Sequence, residues 1–232
     1  MLTQPYVRII QALRKVLDSV GFLRLLDRHT HRRSIHWLRS QFAVYNVEEL
    51  VNLGAPWWSY RGADAVDAWI KQQDRPLRAF EWGAGASSMW LAERVEELHS
   101  VEHHKEFAST VAAMAPEHMT LHVVEPTSKG ASPYAPSLKR GNVDFDFEQY
   151  VRTIDEVGGE FNIIVIDGRA RATCFKHALS HLAPDGIIIF DNSSRKEYRA
   201  AMAAANVTVQ DHRGATPAAP FSTTTSLVSA RP

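Results

Sequence analysis

The chain has 232 residues, 45% hydrophobic and 22% charged, and its 26 Lys+Arg balance 26 Asp+Glu. These proportions exclude a disordered polyelectrolyte, a collagen-like repeat and a disulfide scaffold, and zero net charge removes any global pull toward nucleic acid. The single cysteine, Cys174, cannot close an internal bridge, which fits a reducing compartment.

Charge is uneven along the chain. Residues 1–45 hold Arg8, Arg14, Lys15, Arg24, Arg28, Arg32, Arg33 and Arg39 against Asp18 and Asp27, so 8 − 2 = +6, and the remainder carries −6. Ile10, Leu13, Leu17 and Val20 recur at helical spacing, and Ile9 and Val16 widen the stripe. Gly21 is expected to end this helix and a second to run over 22–42. The pattern predicts a basic helical appendage that packs on the main domain, meets a second copy, or touches an anionic lipid or partner surface. Arg8, Arg14 and Lys15 interrupt the N-terminal apolar run, which argues against a signal peptide. No stretch reaches the ~20 apolar residues of a membrane span. The expectation is a cytoplasmic protein.

From residue 46 the pattern alternates, and 46–232 reads as one domain. Strands are expected at 77–83, 99–104, 119–125, 161–167 and 186–192, with helices at 87–98, 105–115, 147–157, 173–182 and 195–205. Such alternation predicts an α/β fold whose parallel sheet is covered on both faces. Two final strands, 206–214 and 221–230, are separated only by ATPAAP, too short for a crossover helix, so they should pair antiparallel. The Pro/Gly/Ser-rich segment 127–146 is a long connection of the kind that borders functional pockets.

In an open α/β sheet ligands sit beyond the carboxyl ends of the strands. Those ends carry Glu81-Trp82-Gly83-Ala84-Gly85, Glu102, Glu125, Asp167 and Asp191-Asn192. Gly83 and Gly85 allow a tight turn and close approach of a ligand, while Ser87 and Ser88 can cap the following helix. A dinucleotide fingerprint would want glycine at position 88, where serine stands. Glu102, 21 residues after Glu81, is placed to accept hydrogen bonds from both hydroxyls of a ribose. His103 and His104 follow it, toward the adenine edge or solvent. Cys174 reads as a core residue. His177 and His181, four apart on one helix, read as surface histidines, since no third ligand for a zinc pair is evident.

Over about residues 75–230 the chain resembles the class I S-adenosylmethionine-dependent methyltransferases. EWGAG (81–85) is similar to that family's first motif, SVEHH (100–104) to its second, and the terminal hairpin to its last two strands. The resemblance implies a Rossmann-like, doubly wound, mostly parallel seven-stranded sheet with an antiparallel C-terminal hairpin. It also implies S-adenosylmethionine as cofactor, held by Glu81, Gly83, Gly85, Ser87, Ser88, Glu102, His103, Glu125 and Asp167. Glu81 or nearby carbonyls would take the ammonium, and Glu125 would approach the adenine.

Asp167 with Asp191 and Asn192 also resembles the divalent-metal site of catechol and caffeoyl-CoA O-methyltransferases. Three hard oxygen donors suit Mg²⁺, and the competing reading is an Asp-Asn pair that only fixes loops and substrate. The catalytic lysine of those enzymes is replaced by Ala170, between Arg169 and Arg171. Asp167 is the expected proton acceptor, and Arg169 would hold an anionic or hydroxyl-rich substrate. In PWWSY (56–60), Trp57, Trp58 and Tyr60 either pack the appendage on the sheet or wall the acceptor. The segment also resembles one seen beside sugar-modifying enzymes. The reading is therefore O-methylation of a sugar or other polyhydroxylated small molecule, with no nucleic-acid partner. RNA or protein methylation, or a non-catalytic module that binds an adenosine ligand, are the alternatives.

Overall fold

The computed structural model describes residues 4–130, 133–137 and 141–231. The N-terminal part is helical: α1 (Gln4–Ser19), α2 (Phe22–Asp27), α3 (Arg33–Ser40), a 3-10 turn (Gln41–Ala43), α4 (Val47–Asn52) and α5 (Tyr60–Ile70). The α/β part follows as β1 (Arg78–Trp82), α6 (Ala86–Ala92), β2 (Glu97–Glu102), α7 (Lys105–Ala112) and β3 (Met119–Val123). Next come the two-residue strands β4 (Thr127–Ser128) and β5 (Phe145–Asp146), α8 (Glu148–Val157) and β6 (Phe161–Ile166). The chain ends with α9 (Arg171–His181), β7 (Leu182–Phe190), α10 (Lys196–Ala203), β8 (Val207–Thr216) and β9 (Ala219–Ala230).

Seven strands form one sheet in the order β3-β2-β1-β6-β7-β9-β8. The first five run parallel, while β9 is antiparallel to both β7 and β8. This is the expected doubly wound sheet with its terminal hairpin. The strand order reverses between β1 and β6, and that junction opens the crevice used by ligands in such sheets.

The core follows the two-residue period of a strand. Phe80, Trp82, Ile164, Ile166, Ile188 and Phe190 face one cluster, with Tyr150, Ile154, Cys174, Phe175 and Met202 from α8, α9 and α10. Ala79, Ile163, Val165, Ile187 and Ile189 face the other, with Trp58, Val66, Met89 and Leu91. The unbroken apolar runs of β6 and β7 thus reflect burial on both sides.

Three expectations are corrected. The helix expected over 22–42 breaks after Asp27 and restarts at Arg33. The helix expected to reach residue 98 stops at Ala92, because β2 must begin beside β1: Glu97 pairs with Arg78, and the Glu96 N–H donates to the Leu77 carbonyl at 2.9 Å. Helices α4 and α5 lie in a stretch where no element was expected. Among the described residues, no helix is long and apolar enough to cross a membrane.

The N-terminal helices are bound to the sheet. Buried Arg39 reaches Asp27 at 2.7 Å and Glu49 at 3.4 Å, and Arg14 joins Glu49 at 2.7 Å. Ser40 Oγ accepts from the Ala218 N–H at 3.0 Å, and Trp37 Nε1 donates to the Ala219 carbonyl at 3.3 Å. Val7, Val44, Leu50, Ala86 and Ala218 form a small joint core beneath them. Arg39→Ala is expected to cost roughly 1–3 kcal/mol, since it removes hydrogen bonds to two charged partners. The measurement is the urea midpoint of the full chain; an unchanged midpoint would show that the apolar joint alone holds the helices.

Candidate functional site

At the junction of β1 and β6 the two strand tips touch. Gly83 adopts φ 100, a conformation that favours glycine, and a Cβ there would lie 2.7 Å from the Gly168 backbone. A Cβ on Gly168 would in turn strike the Tyr150 hydroxyl. Gly85 is different. Its backbone is extended, and a Cβ would meet only Phe107 at 4.0 Å. The turn therefore depends on Gly83, and Gly85 simply lines the space above it.

That space is a cavity of about 840 Å³, lined in part by Gly83, Gly85, Ser87, Glu102, His103 and His104. Asp167, Arg169, Arg171, Asp191, Asn192 and Arg195 line it as well, and Tyr45 and Trp57 add aromatic surface. One cavity thus gathers the tips of four strands with residues from the N-terminal helices.

Glu102 is 4% exposed, and its Oε1 accepts the His104 N–H at 2.8 Å. Among the described residues nothing hydrogen-bonds Oε2, so that oxygen is available to a hydroxyl-bearing ligand. His103 Nδ1 stands 2.7 Å from Glu102 Oε1, and its ring sits edge-on to Phe147 and Tyr150.

Two expected cofactor contacts are corrected, and a third changes role. Glu81 is fully buried and absent from the cavity lining. Strand alternation turns it to the α6 side, where Ser87 donates to Oε1 at 2.5 Å, Ser100 to Oε2 at 2.9 Å, and Ser88 also to Oε2. It pins α6 beneath the glycine turn instead of meeting an ammonium. Glu125 is exposed beyond the end of β3 and does not reach the cavity. Ser88, expected as a helix cap, accepts the Gly85 N–H at 2.9 Å from inside the first turn of α6.

Burial raises the Glu81 carboxyl to about 7, against the three serines, which pull it down. Burial likewise raises Asp191, and the nearby Asp167 adds to it. Burial opposes the charge on Arg171, but Asp167 and Asp191 outweigh it and hold the guanidinium above its ordinary value. Burial lowers Arg169.

Arg171 explains why the expected cation cage does not form. Its guanidinium donates to Asp167 Oδ1 at 2.6 Å, to the Asp167 carbonyl at 2.5 Å and to the Asp191 carbonyl at 2.6 Å. The Asp191 carboxylate is engaged elsewhere, by Thr225 at 2.7 Å and by the Asn192 amide. Among the described residues no three His, Cys, Asp or Glu side chains gather to hold a metal. A divalent ion at Asp167, Asp191 and Asn192 would face a guanidinium already paired with its first ligand. The residues therefore do not fit Mg²⁺.

The aromatic segment splits between its two expected roles. Trp57 lines the cavity, edge-on to Tyr45 with ring centroids 5.9 Å apart. Trp58 is fully buried against Trp90, and Tyr60 bonds His36 at 2.6 Å. Of the long connection, Pro136 and Ser137 reach the cavity, while 131–132 and 138–140 lie outside the described residues. His177 and His181 share the Asp155 carboxylate at 2.8 and 2.9 Å, away from the cavity. Cys174 is buried as expected. Tyr45, Arg171, Arg195 and Thr225 are among the site residues that sequence reasoning missed. Arg171 was legible only as the other arginine flanking Ala170.

Residues 80–193 match a family described as a methyltransferase domain. No curated protein matches the chain. Among solved structures, the chain is similar to S-adenosylmethionine-bound CalS10, an aminopentose methyltransferase from Micromonospora echinaspora, at 14% identity and TM-score 0.51 over 81% of this chain and 98% of that one. It is also similar to DesVI of Streptomyces venezuelae, at 12% identity and TM-score 0.50 over 80% and 98%. A third likeness is to TrmN of Thermus thermophilus, at 9% identity and TM-score 0.51 over 73% of this chain and 48% of that one. The fold is that of the class I S-adenosylmethionine-dependent methyltransferases. The glycine turn and Glu102 line one cavity beside the point where the strand order reverses.

Two outcomes follow from this geometry. Glu81 titrates near 7 when folded against an ordinary 4.5, so the folded protein holds the extra proton between those values. Stability should thus fall as pH rises from about 4.5 to 7, by an amount on the order of 3 kcal/mol from this group. Urea midpoints across that range should show a shallower slope in Glu81→Gln, and an equal slope would refute the assignment. Gly83→Ala should cost about 1–3 kcal/mol in backbone strain and weaken S-adenosylhomocysteine binding, read by thermal melts with and without ligand.

Proposed function

We propose that the protein transfers the methyl group of S-adenosylmethionine to a hydroxyl of a small polyhydroxylated acceptor, such as a sugar. The observation that carries this reading is one cavity of about 840 Å³ that combines the glycine turn and Glu102 with Asp167, Arg169, Asn192 and an aromatic wall. Its size lies within the ~300–1,000 Å³ of small-ligand sites, which favours a compact acceptor over a macromolecular surface.

S-Adenosylmethionine supplies a methyl group on a positively charged sulfur. Glu102 Oε2 would accept hydrogen bonds from the ribose hydroxyls and so fix the position of the donor. Asp167, paired with Arg171 at 2.6 Å, would take the proton of the acceptor hydroxyl as its oxygen bonds to the methyl carbon and the methyl–sulfur bond breaks, leaving S-adenosylhomocysteine. Arg169, tied to Asn142 Oδ1 at 2.9 Å, presents its remaining N–H groups to acceptor oxygens. Trp57 and Tyr45 supply flat faces for a sugar or aryl ring. Much of the acceleration comes from holding oxygen, carbon and sulfur in line, worth up to roughly 7–11 kcal/mol in model systems. Arg171 provides the positive charge beside Asp167.

Glu102→Ala should weaken S-adenosylhomocysteine binding roughly 10- to 100-fold by calorimetry, the loss of one or two hydrogen bonds to a charged group. Unchanged affinity would remove the ribose assignment. Asp167→Asn should lower kcat by about 10²–10⁴ against a panel of hydroxylated acceptors, with the melting temperature recorded as a control. Turnover should survive EDTA, and its loss with recovery on adding Mg²⁺ would overturn the role given to Arg171.

A further inference from the structure

Helix α1 has two apolar stripes, and only one is used. Val7, Ile10 and Leu17 pack inward against the small cores formed with Leu50, Leu23, Leu26 and Phe42. Ile9, Leu13, Val16 and Val20 form a second stripe, spaced four, three and four residues apart, and are 65%, 43%, 59% and 71% exposed. From Ile9 to Val20, one residue past the end of α1, the stripe runs roughly 16 Å. Leu25 of α2 is 50% exposed as well.

The charges of the same segment divide in the same way. Arg14, Arg33 and Arg39 are paired with Glu49, Asp64 and Asp27. Arg8, Lys15, Arg24, Arg28 and Arg32 are exposed, and among the described residues none has an acidic partner. Unpaired positive charge thus accompanies an uncovered apolar stripe on one small helical unit.

A partner must satisfy both features. A nucleic acid would neutralise the bases but offers the stripe no apolar surface. A second copy would cover the stripe but set the five unpaired cations of one copy against those of the other. An anionic bilayer provides acyl chains for the stripe and headgroups for the bases. We propose that the N-terminal helices dock the protein on the surface of an anionic phospholipid bilayer. Val47 and Leu50 of α4 line the cavity, so the docked unit and the site share residues.

The test is co-sedimentation of the full chain with vesicles of phosphatidylcholine alone or mixed with phosphatidylglycerol. Binding is expected only to the mixed vesicles and should weaken as salt rises. Lys15→Gln with Arg28→Gln should lower partitioning about thirtyfold, or roughly fivefold per charge. Val16→Ser with Val20→Ser should lower it about tenfold or more. Both pairs are exposed, so melting temperatures should not change. Equal binding to neutral vesicles, or none to either, would overturn the proposal. So would dependence on the bases but not the valines, which would mark a polyanion site. A dimer dissociated by the valine substitutions in analytical ultracentrifugation would assign the stripe to a second copy instead.

Discussion

The site depends on one buried cation. Arg171 opens α9 and turns back to bind the carbonyls of Asp167 and Asp191, the residues that immediately follow β6 and β7. Parallel strands leave their last carbonyls without partners where pairing stops, and buried carbonyls must be satisfied. The guanidinium's planar fork satisfies two at once while also pairing with the Asp167 carboxylate. Two neighbouring strand tips are thereby locked at a fixed separation, and two nearby carboxylates can coexist beneath one cavity.

The same logic explains why this oxygen-rich set of strand tips is a poor fit for Mg²⁺. Three hard donors define a cation site only if their lone pairs are free. Here Arg171 already pairs with Asp167, and Thr225 and Asn192 hold the Asp191 carboxylate, so a divalent ion would sit directly against a fixed guanidinium. The hairpin strand β9 contributes one of those donors, so the C-terminal pair of strands acts on the site as well as closing the sheet. A fixed guanidinium gives the positive charge a position that does not depend on ion concentration.

The N-terminal helices do more than cover the sheet. Their inner residues share a core with Ala86 and Ala218, and Tyr45 and Trp57 face the cavity beside the glycine turn. The cavity wall and the N-terminal segment therefore share residues. A surface bound by the outer face of α1 lies against the same unit that walls the site.

Much was legible from the amino-acid order alone. Unbroken apolar runs in β6 and β7 marked central strands, the short ATPAAP stretch, of which only Pro217 and Ala218 lie outside the strands, required an antiparallel hairpin, and the spacing of Gly83, Gly85 and Glu102 pointed to the cavity they line. These features are local, because periodicity and loop length constrain the chain over short distances. Direction and pairing were decided only in three dimensions. Glu81 and Glu102 look equivalent as acids at strand ends, yet the pleat sends Glu81 to three serines under α6 and leaves Glu102 in the cavity. Arg169 and Arg171 are two residues apart, yet α9 aims only Arg171 at both strand tips. Which lone pair meets which donor depends on strands far apart in the chain, and that information arises only when the sheet is assembled.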